Sequence, residues 1–427
     1  MTKRVLIITY YWPPSGGAGV QRWLKFVKYL REFGWEPIIY TPENAEMPSL
    51  DNSLLKDIPE GIEVLKTPIW EPYDAYKKLI GQKKEEKINS GFLSENKKPK
   101  RTEKLAVWVR GNFFIPDARK FWIKPSVKYL KKYLVENPVE AIVSTGPPHS
   151  MHLIAKELKK SLNVKWIADF RDPWTNIDFY NDLMLSGLAD KKHKRLEKEV
   201  LREADVVLSV GRTMAKELSD LGAKKSEVIT NGYDAVENII DVELDEKFSI
   251  AHIGTMTKSR NPEALWKVLS SLVESNESFK KRLELKLVGK VDITVLESLK
   301  SYGLDNYIRK VEYMPHDEVI IEQRKSHMLL LVVNDTPNAK GILTGKFFEY
   351  MSSGRPTLCL GPKDGDVADI IRETEAGSVF ESKDGDDLEK YINESFEGKR
   401  AFKTNDFIKK YSRRELTKQL AKILDEL

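Results

Sequence analysis

A single cysteine in 427 residues rules out any intramolecular disulfide. Cys359, set in the apolar run Pro356–Leu360, reads as a buried thiol suited to a reducing cytoplasm. Long apolar runs are also missing, and no stretch nears the roughly 18 residues that cross a bilayer. The basic start Met1-Thr-Lys-Arg4 leads into Val5–Ile8, but the run is too short for a signal peptide and breaks at Tyr10-Tyr-Trp-Pro-Pro-Ser-Gly-Gly17. It reads as a buried first strand. The six histidines are scattered, so no zinc-type arrangement is available. Asp364-Gly-Asp366 and Asp384-Gly-Asp386 sit in polar turns, and neither a metal nor a cofactor is expected. With 41% hydrophobic and 32% charged residues, the composition excludes a disordered tail and fits a globular chain long enough for two domains.

Short β-branched runs alternate with helical patterns, which predicts an α/β fold of parallel sheets flanked by helices. In the first half the predicted strands are Val5–Thr9, Glu36–Tyr40, Ile62–Lys66, Ala141–Ser144, Lys165–Asp169, Val206–Val210 and Val228–Thr230. Between the first two, Val20, Trp23, Leu24, Val27 and Leu30 share one helical face. A second series runs through Phe248–Gly254, Leu285–Gly289, Arg309–Tyr313, Met328–Val333, Pro356–Leu360 and Ser378–Phe380. The polar, acidic stretch Asp234–Lys247 places the boundary near residue 240. This divides the chain into 1–240, 241–404 and a last helix over 405–427 that could pack back on the first domain.

Net charge is only +5, yet Lys77–Lys132 holds 17 Lys/Arg against 5 Asp/Glu, with Leu105–Val109, Phe113–Pro116 and Phe121–Ile123 embedded in it. This reads as a basic, aromatic insertion, either a solvated face or an anchor to an anionic membrane surface. A nucleic-acid partner is not expected.

Three turns carry the chemistry. Pro13-Pro-Ser-Gly-Gly-Ala-Gly19 joins the first strand to the first helix, where glycines and helix N–H groups can meet a phosphate. Ala251-His-Ile-Gly254 ends a strand ahead of Lys258 and Arg260, cations suited to a diphosphate. Asn338–Tyr350 joins a strand to a helix starting near Thr344, which can cap it, with Lys346 in its first turn. This last turn is not a P-loop: Gly341 and Gly345 are separated by three residues where four are needed, and Phe347 stands where Ser or Thr would bind magnesium. Glu349 can face a ribose diol. Asp169, Arg171 and Asp172 follow a buried strand, and three charges there need pairing. Asp169 suits a structural role, and Arg171 and Asp172 an acceptor.

In this order, Tyr11–Gly19, Asp169–Trp174, Thr230–Asp234, Ile253-Gly254 with Arg260, and Gly345–Pro356 resemble the retaining GT-B glycosyltransferases. The likeness is strongest to glycosyltransferase family 4 of bacterial surface-polysaccharide assembly, and it spans almost the whole chain. It implies two Rossmann-like domains facing across a cleft and a hexosyltransferase using a nucleoside diphosphate sugar. The acceptor would be a glycan or lipid-linked glycan at the cytoplasmic face of the membrane. Gly16, Gly17 and Gly254 would approach the donor phosphates, Arg260 would neutralise them, Glu349 would hold the ribose, and His149 would lie near the transferred sugar. Gly341 stands where the family has its first Glu, and Thr255 where it often has an arginine. Lys346 and the backbone amides of Ile342, Leu343 and Thr344 are the expected substitutes. The rival readings are a nucleotide-sugar epimerase and a non-catalytic nucleotide-sugar-binding protein.

Overall fold

The computed structural model describes residues 2–47, 49–72, 101–234, 242–312, 314, 316–334, 336–399 and 405–427. The portion of the basic segment from Lys77 to Lys100 lies outside them. The chain divides into two compact units, 1–230 with 413–427, and 231–412. The division thus falls after Thr230 rather than near residue 240.

The N-terminal unit holds a seven-stranded sheet. Its strands are β1 (Lys3–Ile8), β2 (Trp35–Pro42), β3 (Glu63–Thr67), β4 (Ala141–Gly146), β5 (Lys165–Phe170), β6 (Val206–Ser209) and β7 (Ser226–Val228). They are ordered β3-β2-β1-β4-β5-β6-β7, and every pair is parallel. Alternate residues of β1 enter opposite cores, Leu6 and Ile8 on one face and Val5 and Ile7 on the other. Burial on both faces explains why the strand reads as an unbroken apolar run.

The C-terminal unit repeats the plan with six strands, β8 (Phe248–Ile253), β9 (Leu283–Val288), β10 (Ile308–Val311), β11 (Met328–Val332), β12 (Thr357–Leu360) and β13 (Gly377–Phe380). Their order is β10-β9-β8-β11-β12-β13. Each sheet reverses its winding direction once, between β1 and β4 and again between β8 and β11. The loops leaving the carboxyl ends of those strands flank the crevice where doubly wound sheets take ligands. All three chemistry-bearing turns, and His149, lie on these loops.

Two segments differ from the expected organisation. Lys120–Glu136 is a core helix between β3 and β4: Trp122 is buried and stacks on Tyr40 at 4.8 Å, and Leu130 and Leu134 join the same core. The C-terminal stretch splits. The turn Asp406–Tyr411 stays with the second unit, where Tyr411 packs on Phe348. The helix Arg413–Asp425 buries Leu416, Leu420 and Leu424 against the first unit, and Trp35 Nε1 donates to Asp425 at 3.0 Å.

Candidate functional site

In the C-terminal unit, Gly254 follows β8 with φ 115°, the left-handed region where glycine is favoured. The space its side chain would fill is occupied: a Cβ at Gly254 would lie 2.9 Å from Lys346 Nζ. Lys346 reaches this point from the first turn of the helix Gly345–Ser352. That helix is pinned by Tyr350, whose buried hydroxyl accepts the Ile253 N–H at 2.9 Å and donates to the Ile253 carbonyl at 3.3 Å. Arg260 closes the turn Lys258–Arg260, and its Nε donates to Asn334 Oδ1 at 2.6 Å. Asn334 follows β11, so this bond joins the two loops across the reversal point of the sheet.

Lys346 makes no hydrogen bond or ion pair among the described residues. Burial, reinforced by the Arg260 charge and partly offset by Glu349, lowers its pKa to about 8. A half-buried lysine beside a guanidinium is a site that lacks negative charge, and an anion would relieve both cations. Glu349 lies three residues further along the same helix, and its carboxylate is likewise without a hydrogen bond or ion pair among the described residues.

The loop before this helix behaves differently from expectation. Thr344 occupies the N-cap position, but its side chain makes no capping bond and its buried Oγ1 has no partner. The Gly341 and Ile342 amides are turned into the local turn, donating to Asn338 and Ala339 carbonyls at 3.0 and 3.2 Å, so neither is offered to a ligand. Leu343 is buried in the core. Of the expected amides, those of Leu343 and Thr344 are therefore the ones not turned into the local turn.

In the N-terminal unit, Gly16 donates its N–H to the Ser49 carbonyl at 2.9 Å, and a Cβ there would meet Ser49 Oγ at 2.8 Å. Its amide is spent on holding the turn, and a phosphate contact from it would require breaking that bond. Gly17 is different: it is exposed, has φ 96°, and precedes the helix Ala18–Leu30, which has no side-chain cap.

Arg171 donates to the carbonyls of Gly19, Pro147 and Gly146. It therefore ties the loops after β1 and β4 together. Asp172 is exposed and makes no hydrogen bond or ion pair among the described residues. Asp169 is enclosed, accepting from Arg22, Trp23 and Thr145.

His149 follows β4 and is buried, with its ring stacked on Trp174 at 4.5 Å and an interplanar angle of 1°. Asp117 fixes the start of the next helix, accepting the Ser150 N–H at 2.9 Å and the Ser150 hydroxyl at 2.8 Å. Burial, with the nearby His152 and Arg171, holds the His149 pKa well below the ordinary range. His149 is therefore neutral at physiological pH.

No protein-family model matches the chain, and no curated protein matches its sequence. Solved structures do match. A glycosyltransferase from Rickettsia africae superposes with a TM-score of 0.59 at 15% identity, covering 100% of this chain and 98% of that one. The lipopolysaccharide outer core galactosyltransferase WaaB in its apo form gives 0.59 at 13% identity, with 100% of both chains covered. The UDP-GlcNAc 2-epimerase of Methanocaldococcus jannaschii gives 0.51 at 12% identity, over 99% of this chain and 100% of that one. The fold is that of the GT-B glycosyltransferases. Because one architecture hosts several chemistries, the likeness carries the fold and the side chains must carry the function.

Within the second GT-B unit, Gly254, Arg260, Lys346 and Glu349 belong to one neighbourhood, and Asn334 and Tyr350 complete it. Within the first, Gly17, Arg171 and His149 flank the β1–β4 reversal, and Asp117 positions the last. Asn334 had a usable signal, since it directly follows a predicted strand. Tyr350 and Asp117 had none, because their roles depend on partners distant in sequence.

Proposed function

We propose that the chain is a glycosyltransferase that moves a sugar from a nucleoside diphosphate sugar to a hydroxyl acceptor, with retention of configuration. The observation that carries this reading is the Lys346 ammonium, without an ion pair among the described residues, beside Gly254 and electrostatically coupled to Arg260. These groups suit a diphosphate. They favour it most as a leaving group, when negative charge builds on the departing oxygen. Charge stabilisation comes from two side-chain cations and the amides of a helix start, and no metal is required. The family resemblance puts His149 of the N-terminal unit near the sugar, and the position of Asp172 after a buried strand puts it near the acceptor. Arg171 shapes the loops that carry them.

The test is incubation with a panel of nucleotide sugars, with EDTA present, while following free nucleoside diphosphate with and without glycan acceptors. Acceptor-dependent release is expected. An isomerised sugar nucleotide without release would establish the epimerase reading, and binding without either product would leave a carrier.

Glu349 is assigned to the nucleotide ribose. Glu349→Gln should weaken a ribonucleoside diphosphate more than its 2′-deoxy analogue, measured by calorimetry. Equal losses for both would remove the 2′-hydroxyl contact.

The acceptor is proposed to be lipid-linked. Trp70, Leu105, Trp108, Phe113 and Phe121 are exposed, Trp70 packs edge-on against Phe121 at 4.7 Å, and Lys120 Nζ lies 5.0 Å from the Phe121 ring centroid. Aromatic side chains rimmed by lysines suit an anionic headgroup layer, at about 1 kcal/mol per cation. Flotation with anionic liposomes should retain the protein at low salt, and Trp108→Ser with Phe113→Ser should release it. No flotation even at low salt would favour a soluble acceptor.

A further inference from the structure

His149 is followed one helical turn later by His152, and the surrounding residues determine where the ring protons of this pair sit. Trp166 Nε1–H donates to Ser144 Oγ at 2.9 Å, and Ser144 Oγ lies 2.8 Å from His152 Nδ1. Having accepted from Trp166, the Ser144 hydroxyl needs an acceptor for its own proton, and among the described residues His152 Nδ1 is the one it reaches. His152 is fully buried, which lowers its pKa to about 3. A neutral ring that accepts at Nδ1 carries its proton on Nε2.

His152 Nε2 and His149 Nδ1 are both buried and both lack a hydrogen-bond partner. They converge on one place. A Cβ at Gly146 would lie 2.6 Å from His152 Nε2 and 3.0 Å from His149 Nδ1. The two nitrogens do not bond each other directly. One water between them would accept from a His152 Nε2–H and donate to a His149 Nδ1 lone pair, whereas with an N–H on both rings it would accept twice and its own two protons would need other acceptors in a buried place.

We propose that Ser144 and His152 are positioning residues that hold His149 as its Nε2–H tautomer, and that Gly146 keeps the space between the two rings open. The stack on Trp174 fixes the plane of the donor ring, and His152 stacks on Phe170 at 4.6 Å. The inference deepens the proposed sugar role of His149 and rests on it. A neutral Nε2–H donates a hydrogen bond to a sugar oxygen, whereas a cationic ring would compete for the departing phosphate.

Long-range proton–nitrogen NMR on the full chain, with isotope-labelled histidine, reads each tautomer. At neutral pH both His149 and His152 should show the Nε2–H pattern, and Ser144→Ala should move both rings to tautomer mixtures. His152→Phe, which preserves a ring on Phe170, should do the same to His149. A wild-type His149 protonated on Nδ1, or a His149 pattern unchanged in both variants, overturns the proposal. The sugar role is read separately. Gln places its amide N–H near the position of Nε2 and Asn does not, so His149→Asn should lose about tenfold more donor turnover than His149→Gln. Both should keep nucleoside diphosphate affinity. With the NMR pattern as expected and no difference in turnover between the two variants, the wiring is upheld and the sugar role of His149 is what falls.

Discussion

Asp169→Ala is expected to lower the stability of the N-terminal unit by about 3–5 kcal/mol, because it leaves a buried guanidinium without its partner. Arg22 and Asp169 are both almost fully buried and meet at 2.9 Å. The same carboxylate accepts Trp23 Nε1–H at 2.7 Å and the Thr145 hydroxyl at 2.8 Å. Arg22 also donates to the Thr230 carbonyl at 2.9 Å. One substitution therefore takes the acceptor from three side chains, two on the first helix and one on β4. Eight of the nine tryptophans lie within residues 1–230, so urea unfolding followed by tryptophan fluorescence reports this unit. A loss below about 1 kcal/mol, the scale of an exposed pair, would show that the ion pair is not a lock. Replacing both partners, Arg22→Met with Asp169→Leu, should recover part of the loss, since no charge is then left buried.

The same pair makes the unit acid-sensitive. Burial opposes ionisation of Asp169, but Arg22 and the hydrogen bonds outweigh it and hold the carboxyl below its usual range. A depressed carboxyl contributes stability that is complete above the unfolded value of about 3.9 and lost as pH falls through the folded value. Asp169→Ala should lack this part of the acid transition.

The second large effect concerns the diphosphate. Arg260→Ala should weaken nucleoside diphosphate binding by about 1.5–3 kcal/mol through loss of a charge-assisted hydrogen bond. Unchanged affinity would move the phosphate site elsewhere. Lys346→Met should cost a similar amount and also change the pH dependence. The free lysine titrates near 8, and an adjacent anion raises that value. Affinity for the anion should therefore hold steady below about pH 8 and fall above it, as the free protein loses the ammonium proton. In Lys346→Met that fall should vanish. Calorimetry in buffers of differing ionisation enthalpy should detect proton uptake on binding to the unaltered protein, and none in the variant.

The likeness between strand periodicity and strand position was close. The predicted strands match β1–β13 in order, though Val228–Thr230 meets β7 only at Val228; the central strands are legible because burial of both faces of a parallel sheet writes itself into consecutive residues such as Val5–Ile8. Strand ends were legible for a similar reason: Gly254 and Arg260 stand where a doubly wound sheet opens. Readings that depended on which direction a backbone amide points fared worse. Gly16 and Ile342 lie on the expected loops, yet the Gly16 N–H is spent on the distant Ser49 carbonyl and the Ile342 N–H on a local turn. Thr344 stands at the helix start without capping it.

Local patterning by itself determined the fold class, the two series of strands and the loops that hold the candidate residues, since each depends on side chains a few positions apart. Only the tertiary structure decided which groups are spent and which are offered. Arg22 meets Asp169 across 147 positions, Arg260 meets Asn334 across 74, and Ile253 meets Tyr350 across 97. Contacts between residues so far apart leave no period in the chain, because they arise only when parallel strands bring distant loops to the same edge of a sheet.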